Sequence, residues 1–115
     1  MEERLLKLEK MGCDVKGAMN RFLNDTEFYF ECLDEAMQDS GFEALGIALE
    51  QHDIARAFES SHTLKGVLSN LGLLSLAEKM GRIVDTLRSG SDEGLLKEYQ
   101  ELMEEKKKYV NNLFL

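Results

Sequence analysis

The sequence predicts an all-α fold, and three observations carry that prediction. No proline occurs among the 115 residues. Apolar residues recur at the three- and four-residue spacing of a helix almost throughout, and the alternation that would mark strands finds little support. The breaks between periodic segments are short, so successive helices should be antiparallel neighbours. The economical architecture is an antiparallel up-and-down four-helix bundle built mainly from the chain after Gly41, with additional short N-terminal helices packed against it.

The elements follow in order. Residues 2–11 read as a short helix ending near Gly12, and Asp14 caps a second through "VKGAMNRFL". The "NDTE" stretch, Asn24 to Glu27, has the spacing of a capping box and starts a helix through "FYFECLDEAM" that stops before Ser40 and Gly41. A short helix, "FEALGIALEQ", comes next. Asp53 caps a long helix of about residues 54–71 that ends at Gly72. Ser75 caps "LAEKMGRIVDTLR", the "SGSDEG" turn breaks the chain, and a last helix runs through "LLKEYQELMEEKKKYVNNL".

Length and composition narrow the function. At this size one compact domain over residues 1–115 is expected, and 43% hydrophobic with 31% charged residues is an ordinary globular balance. A net charge of -8 argues against nucleic acid and anionic membranes, both of which call for a basic surface. The N-terminal "MEERLLKLEK" is charged throughout, and no segment approaches the roughly 18–20 apolar residues that span a bilayer. Cys13 and Cys32 match no metal or redox spacing, so reduced thiols in a cytoplasmic protein are expected. Joining them with His52 and His62 into a metal site has no support from ligand spacing. His52 reads as a helix-end residue.

The stretch "SSHTLKG", residues 60–66, stands out because Gly66 weakens a helix by about 1 kcal/mol relative to alanine. At about 100° per residue, Ile54, Ala57, Ser61, Leu64, Leu68 and Leu71 share the core face. His62 lies roughly 140° from the centre of that face, on a surface shared with Ala55, Glu59, Lys65, Gly66 and Ser69. It should be exposed. Gly66 and Ser69 leave a bare patch beside the imidazole where another protein can approach. Lys65 supplies a cation that suits a transient phosphoryl group, while Glu59 either accepts a hydrogen bond from the ring or is solvated. Imidazole, with an ordinary pKa of about 6.5, is largely neutral and nucleophilic at neutral pH.

At this point "HTLKGVLSNLG" resembles the signature of histidine-containing phosphotransfer (HPt) domains, in which histidine, lysine at +3, glycine at +4 and glycine at +10 recur. His62, Lys65, Gly66 and Gly72 match. The likeness runs from "GCDVKGAMNRFLND" to about Leu113 and is to the free-standing bacterial form. It implies a phosphorelay carrier that accepts a phosphoryl group on His62, at Nε2, from a receiver-domain aspartyl phosphate and passes it to another receiver. By the same resemblance Lys65 stabilises the phosphoryl oxygens, Gly66 clears the approach, and Arg88 matches a basic position of some members, the other reading being a surface arginine near a helix end. Together with the phasing of the helix over residues 54–71 this makes Glu59, Gly66, Ser69 and Arg88 the expected partner-docking residues. Some members carry a glutamine 22 residues after the histidine; here that position is Val84. The implied partners are response-regulator receiver domains, including those of hybrid histidine kinases, with the chain acting as a monomer. The receiver, rather than this chain, would bring the acidic site and its Mg²⁺.

No Gly-rich phosphate loop, kinase-like set or nucleophile elbow occurs, so the chain is expected to be a carrier without an ATP site of its own and not an enzyme. An alternative is a helical adaptor that docks receiver or kinase partners without carrying phosphate. A metal-dependent bundle is disfavoured, since its ligands would project inward and His62 projects outward. The "FYF" run spans about 200° of helix, so at least one of Phe28, Tyr29 and Phe30 should be exposed. "EEKKKY" reads as a solvated helix face.

Overall fold

A computed structural model describes residues 2–115. Seven helices follow one another: α1 (Glu3–Lys10), α2 (Val15–Arg21), α3 (Thr26–Met37), α4 (Gly41–Glu50), α5 (Ile54–Asn70), α6 (Leu74–Arg88) and α7 (Leu95–Phe114). Among the described residues there is no strand, and no helix is long and apolar enough to cross a membrane. The all-α prediction stands.

Two caps sit where their sequence signals place them. Asp14 accepts from the Gly17 N–H at 3.0 Å and Asp53 from the Arg56 N–H at 3.1 Å, each satisfying a first-turn donor that has no partner within the helix. Two others differ. Asn24 does not open a capping box: with Leu23 it adopts a left-handed conformation (φ 60° and 54°) to turn the chain out of α2, and Asp25 caps α3 instead through the Phe28 N–H. Ser75 lies inside α6, which starts after Leu73. Its hydroxyl donates to Glu105 Oε2 at 2.7 Å and meets the Tyr109 hydroxyl at 2.8 Å, a tertiary use that a single helix does not disclose.

Helices α4 to α7 close into a ring, α5 packing on α4 and α6, and α7 on α6 and α4. Their directions alternate. Gly41 at the start of α4 faces Leu64 late in α5; Lys65 of α5 lies against Gly81 of α6; Ser75 near the start of α6 meets Tyr109 late in α7. The Tyr99 hydroxyl donates to the Phe42 carbonyl at 2.8 Å and ties α7 back to α4. This is the up-and-down four-helix bundle, with three helices added at its N-terminus. Buried side chains from all seven helices form one contiguous core.

The N-terminal helices brace the turn that follows α5. The Tyr29 hydroxyl donates to the Leu71 carbonyl at 2.6 Å, and the Asp14 N–H donates to the Gly72 carbonyl at 2.9 Å. Arg21 donates to the carbonyls of Asn70 and Ser69, at 2.9 and 3.2 Å, satisfying acceptors that the end of a helix leaves open. Gly72 has φ +74°, and a Cβ there would stand 2.6 Å from the Asp14 carbonyl oxygen, so both conformation and space require glycine.

Of the aromatic run, Tyr29 and Phe30 are buried and Phe28 is half exposed, as the helical phase demands. The "EEKKKY" stretch is less solvated than its charge suggests. Glu105 and Lys106 are half-buried and Tyr109 is fully buried. The Lys106 ammonium lies 5.1 Å from the centre of the Phe42 ring, and burial pulls its pKa down. Cys13 and Cys32 are both free thiols.

Candidate functional site

The rotation of α5 about its axis decides where the site residues point. Ala57, Ser61, Leu64 and Leu68 are buried, and fully burying a leucine contributes about 1.5–3 kcal/mol, so Leu64 and Leu68 hold the helix in one orientation. Ile54, at the edge of that face, is only half-buried. His62 is consequently exposed in the middle of a seventeen-residue helix, with Gly66 and Ser69 exposed beyond it. Phasing alone locates all three.

Gly66 is open. A Cβ built there meets nothing within 4 Å, so the patch beside His62 is bare of this chain's own atoms. Lys65 is half-buried, its stem laid over α6 where Gly81 removes a side chain: a Cβ on Gly81 would stand 3.5 Å from Lys65 Cε and 3.9 Å from Nζ. A lysine can cover apolar surface with its methylenes while keeping its charged end in water. Among the described residues no salt bridge engages Lys65 or His62, so the ammonium is uncommitted.

The other sequence-selected positions divide. Glu59 does not reach the His62 ring; it is exposed and lines the groove between α4 and α5 with Ala44, Ile47, Gln51, Arg56 and Ser60. Of its two readings, solvation holds. Arg88, at the end of α6, stands on the opposite side of α5, its guanidinium carbon 5.6 Å from the centre of the Phe58 ring and Nη1 3.5 Å from Asp85 Oδ1. Val84 is fully buried and presents no polar atom to His62.

Two residues escaped sequence reasoning, one beside His62 and one beneath Lys65. Phe58, one turn before His62, stacks on the imidazole with ring centroids 5.5 Å apart and planes inclined by 30°. Its i, i+4 spacing was a signal, but the single-helix phase placed it between core and solvent. Gly81 was visible as a mid-helix glycine in α6, yet only the packing of α5 on α6 gives it a purpose.

His52 is the helix-end residue expected, left-handed at φ +55°, with Nδ1 2.8 Å from Asp92 Oδ2 across the α4–α5 and α6–α7 turns. Among the described residues no group of three His, Cys, Asp or Glu side chains is placed to hold a metal ion. Among the described residues α5 presents an exposed imidazole, a lysine outside any salt bridge and an uncovered patch beside them.

No curated protein and no solved structure gives a significant match to the chain. The family model for the Hpt domain does, over residues 22–113. That span begins at the end of α2 and takes in α3 and the whole four-helix bundle; α1 and α2 lie outside it, a later start than the sequence resemblance suggests. With most of its length matched, and with the exposed histidine of α5 inside the match, the chain belongs to the Hpt domain family.

Proposed function

We propose that this Hpt domain takes a phosphoryl group on His62 from the aspartyl phosphate of one receiver domain and passes it to a second. Histidine phosphotransfer within a phosphorelay, with receiver domains as partners, is what membership of the family implies in general. The observation that carries the finer reading is the exposure of His62 beside an unoccupied patch at Gly66. A receiver must bring its aspartate within bonding distance of the ring, and only a helix face without side chains in the way permits that approach.

In the forward step a lone pair on the imidazole, at Nε2, bonds to phosphorus. The acyl phosphate's P–O bond breaks, and its electron pair leaves on the aspartate carboxylate. The other ring nitrogen releases its proton to solvent. The reverse sequence charges the second receiver. Lys65 offsets charge on the phosphoryl oxygens as they pass, and Gly66 and Ser69 form the floor on which the receiver sits. Glu59 and Arg88 stand on the other side of His62, toward the start of α5, on its α4 and α6 flanks, where they border the same docking surface. Phosphoryl transfer rests on positioning and charge stabilisation, and the receiver's acidic site would bring the Mg²⁺ that completes it. The chain is a carrier and brings no ATP site of its own; a cytoplasmic setting and a monomeric state fit this role.

The test is to incubate the protein with a pre-phosphorylated receiver domain and follow the label. Acid-labile, base-stable label is expected on the wild type and none on His62→Gln. Binding of the receiver without any transfer to His62 would instead make the protein an adaptor.

A further inference from the structure

We infer that Phe58 is a positioning residue for His62, holding the imidazole by its face so that both ring nitrogens stay free. The inference rests on His62 being the phosphoacceptor. An exposed histidine turns about two side-chain bonds, and transfer requires one orientation toward phosphorus. A hydrogen bond would fix the ring at the expense of a nitrogen, and among the described residues no side-chain hydrogen bond engages His62. The Phe58 ring does the holding instead. It lies one helical turn away with centroids 5.5 Å apart and planes within 30° of parallel. Stacking meets the π face, while the reactive lone pair lies in the ring plane, so the contact restricts the ring without blocking attack.

Phe58 can act as a platform because it is itself fixed. Half-buried against the core, it forms the wall of a shallow groove of about 350 Å³ with Ile54, Ala55, Leu87 and Arg88. The Arg88 guanidinium carbon, 5.6 Å from the centre of the Phe58 ring, lies within cation–π range. Arg88 therefore bears on the histidine through Phe58, a role its sequence position does not reveal.

The test separates the stack from the chemistry. In proton NMR spectra the His62 Hδ2 and Hε1 resonances should be displaced by the Phe58 ring current, return toward exposed-histidine values in Phe58→Leu, and stay displaced in Phe58→Tyr. Phosphorylation by phosphoramidate then reads the intrinsic reactivity of the ring without a receiver: a ring nitrogen bonds to phosphorus, the reagent's P–N bond breaks with its electron pair leaving on ammonia, and the other ring nitrogen loses its proton to solvent. Phe58→Leu should react with phosphoramidate as the wild type does, since a small donor meets the ring from any side. From a receiver it should take a phosphoryl group roughly two- to twelve-fold more slowly, the factor to which the worth of one aromatic pair converts, and Phe58→Tyr should restore that transfer rate. With a phosphorylated receiver, the maximal transfer rate should fall while the half-saturating receiver concentration stays constant. Leucine keeps the apolar contact with the core, and a helical spectrum with a wild-type melt certifies the fold. A labelled wild type whose Phe58→Leu variant keeps both the receiver transfer rate and the chemical shifts overturns the positioning role alone. A wild type that takes no phosphoryl group from either donor overturns the phosphoacceptor reading and the positioning role with it, whatever the ring current shows.

Discussion

Gly46 in α4 and Gly66 in α5 are both mid-helix glycines, and each gives up about 1 kcal/mol of helix stability relative to alanine. They do so for opposite reasons. A Cβ on Gly46 would stand 2.7 Å from the Tyr99 hydroxyl and 2.8 Å from Cζ, so the α4–α7 contact leaves it no room. A Cβ on Gly66 would meet nothing. One glycine is explained by what touches it; nothing in the fold explains the other. Breaks of a local rule that bring the fold no gain are where functional sites are expected, and that expectation can be tested at Gly66.

The strongest way to break this comparison is Gly46→Ala. The new methyl must push the Tyr99 ring aside and strain its hydrogen bond to the Phe42 carbonyl. Overpacking of this kind costs about 1–3 kcal/mol, offset in part by alanine's better helix propensity. For a chain of this size each kcal/mol lowers the melting temperature by roughly 4–8 °C, so thermal unfolding followed by circular dichroism should show a clear drop. An unchanged melt would mean that α4 and α7 separate freely, and Gly46 would then be no better explained than Gly66.

The closed side of the molecule should also announce itself at high pH. Burial pushes the phenol pKa values of Tyr29 and Tyr109 above their ordinary value near 10, and it pushes the Cys13 thiol up as well. The folded state therefore keeps protons that the unfolded chain gives up, which makes stability fall as pH rises through the unfolded value. Denaturant midpoints measured from pH 7 to 11 should begin to fall as pH passes the ordinary thiol value of about 8.5 and decline more steeply above about pH 10, where the phenols join. Tyr109→Phe should make that decline shallower, since it removes one of the three phenols, Tyr29, Tyr99 and Tyr109, that burial pushes up, while leaving the ring in place. A decline of equal steepness in both proteins would show that Tyr109 titrates as it does in water.

How much of this was legible in the sequence depended on whether a feature belongs to one helix or to two. The core face of α5 is a property of one helix, so counting residues around its axis placed His62, Gly66 and Ser69 on the surface. Asp14 and Asp53 cap helices through bonds spanning three residues, and they read correctly for the same reason. Ser75 looked like a cap because serine favours that position, but its hydroxyl serves a chain of bonds from α6 to α7 that links Cys13, Tyr109, Ser75 and Glu105. Asn24 failed for a neighbouring reason, since the left-handed turn out of α2 claimed it first. Gly81 acquires meaning only when α5 lays Lys65 across it, and Arg88 only when it meets Phe58. Spacing along one helix carries no record of such contacts.

The smallest expected change in stability comes from Gly66→Ala, and it is the most informative. Nothing within 4 Å opposes the methyl and the backbone is helical, so the fold should gain up to about 1 kcal/mol, a rise of a few degrees in the melt. If the patch exists for a docking receiver, that more stable protein should be the poorer phosphoryl acceptor from a receiver while still reacting normally with phosphoramidate, which needs no protein surface. Gly66→Gln should carry the same separation further, with the fold intact and transfer slower still, because a longer side chain fills the clearing and leaves the core untouched. Equal transfer rates in the wild type and both variants would leave Gly66 as a cost without a purpose. A gain in stability joined to a loss of transfer would show that the open face of α5 has been kept bare against the interest of the helix that carries it.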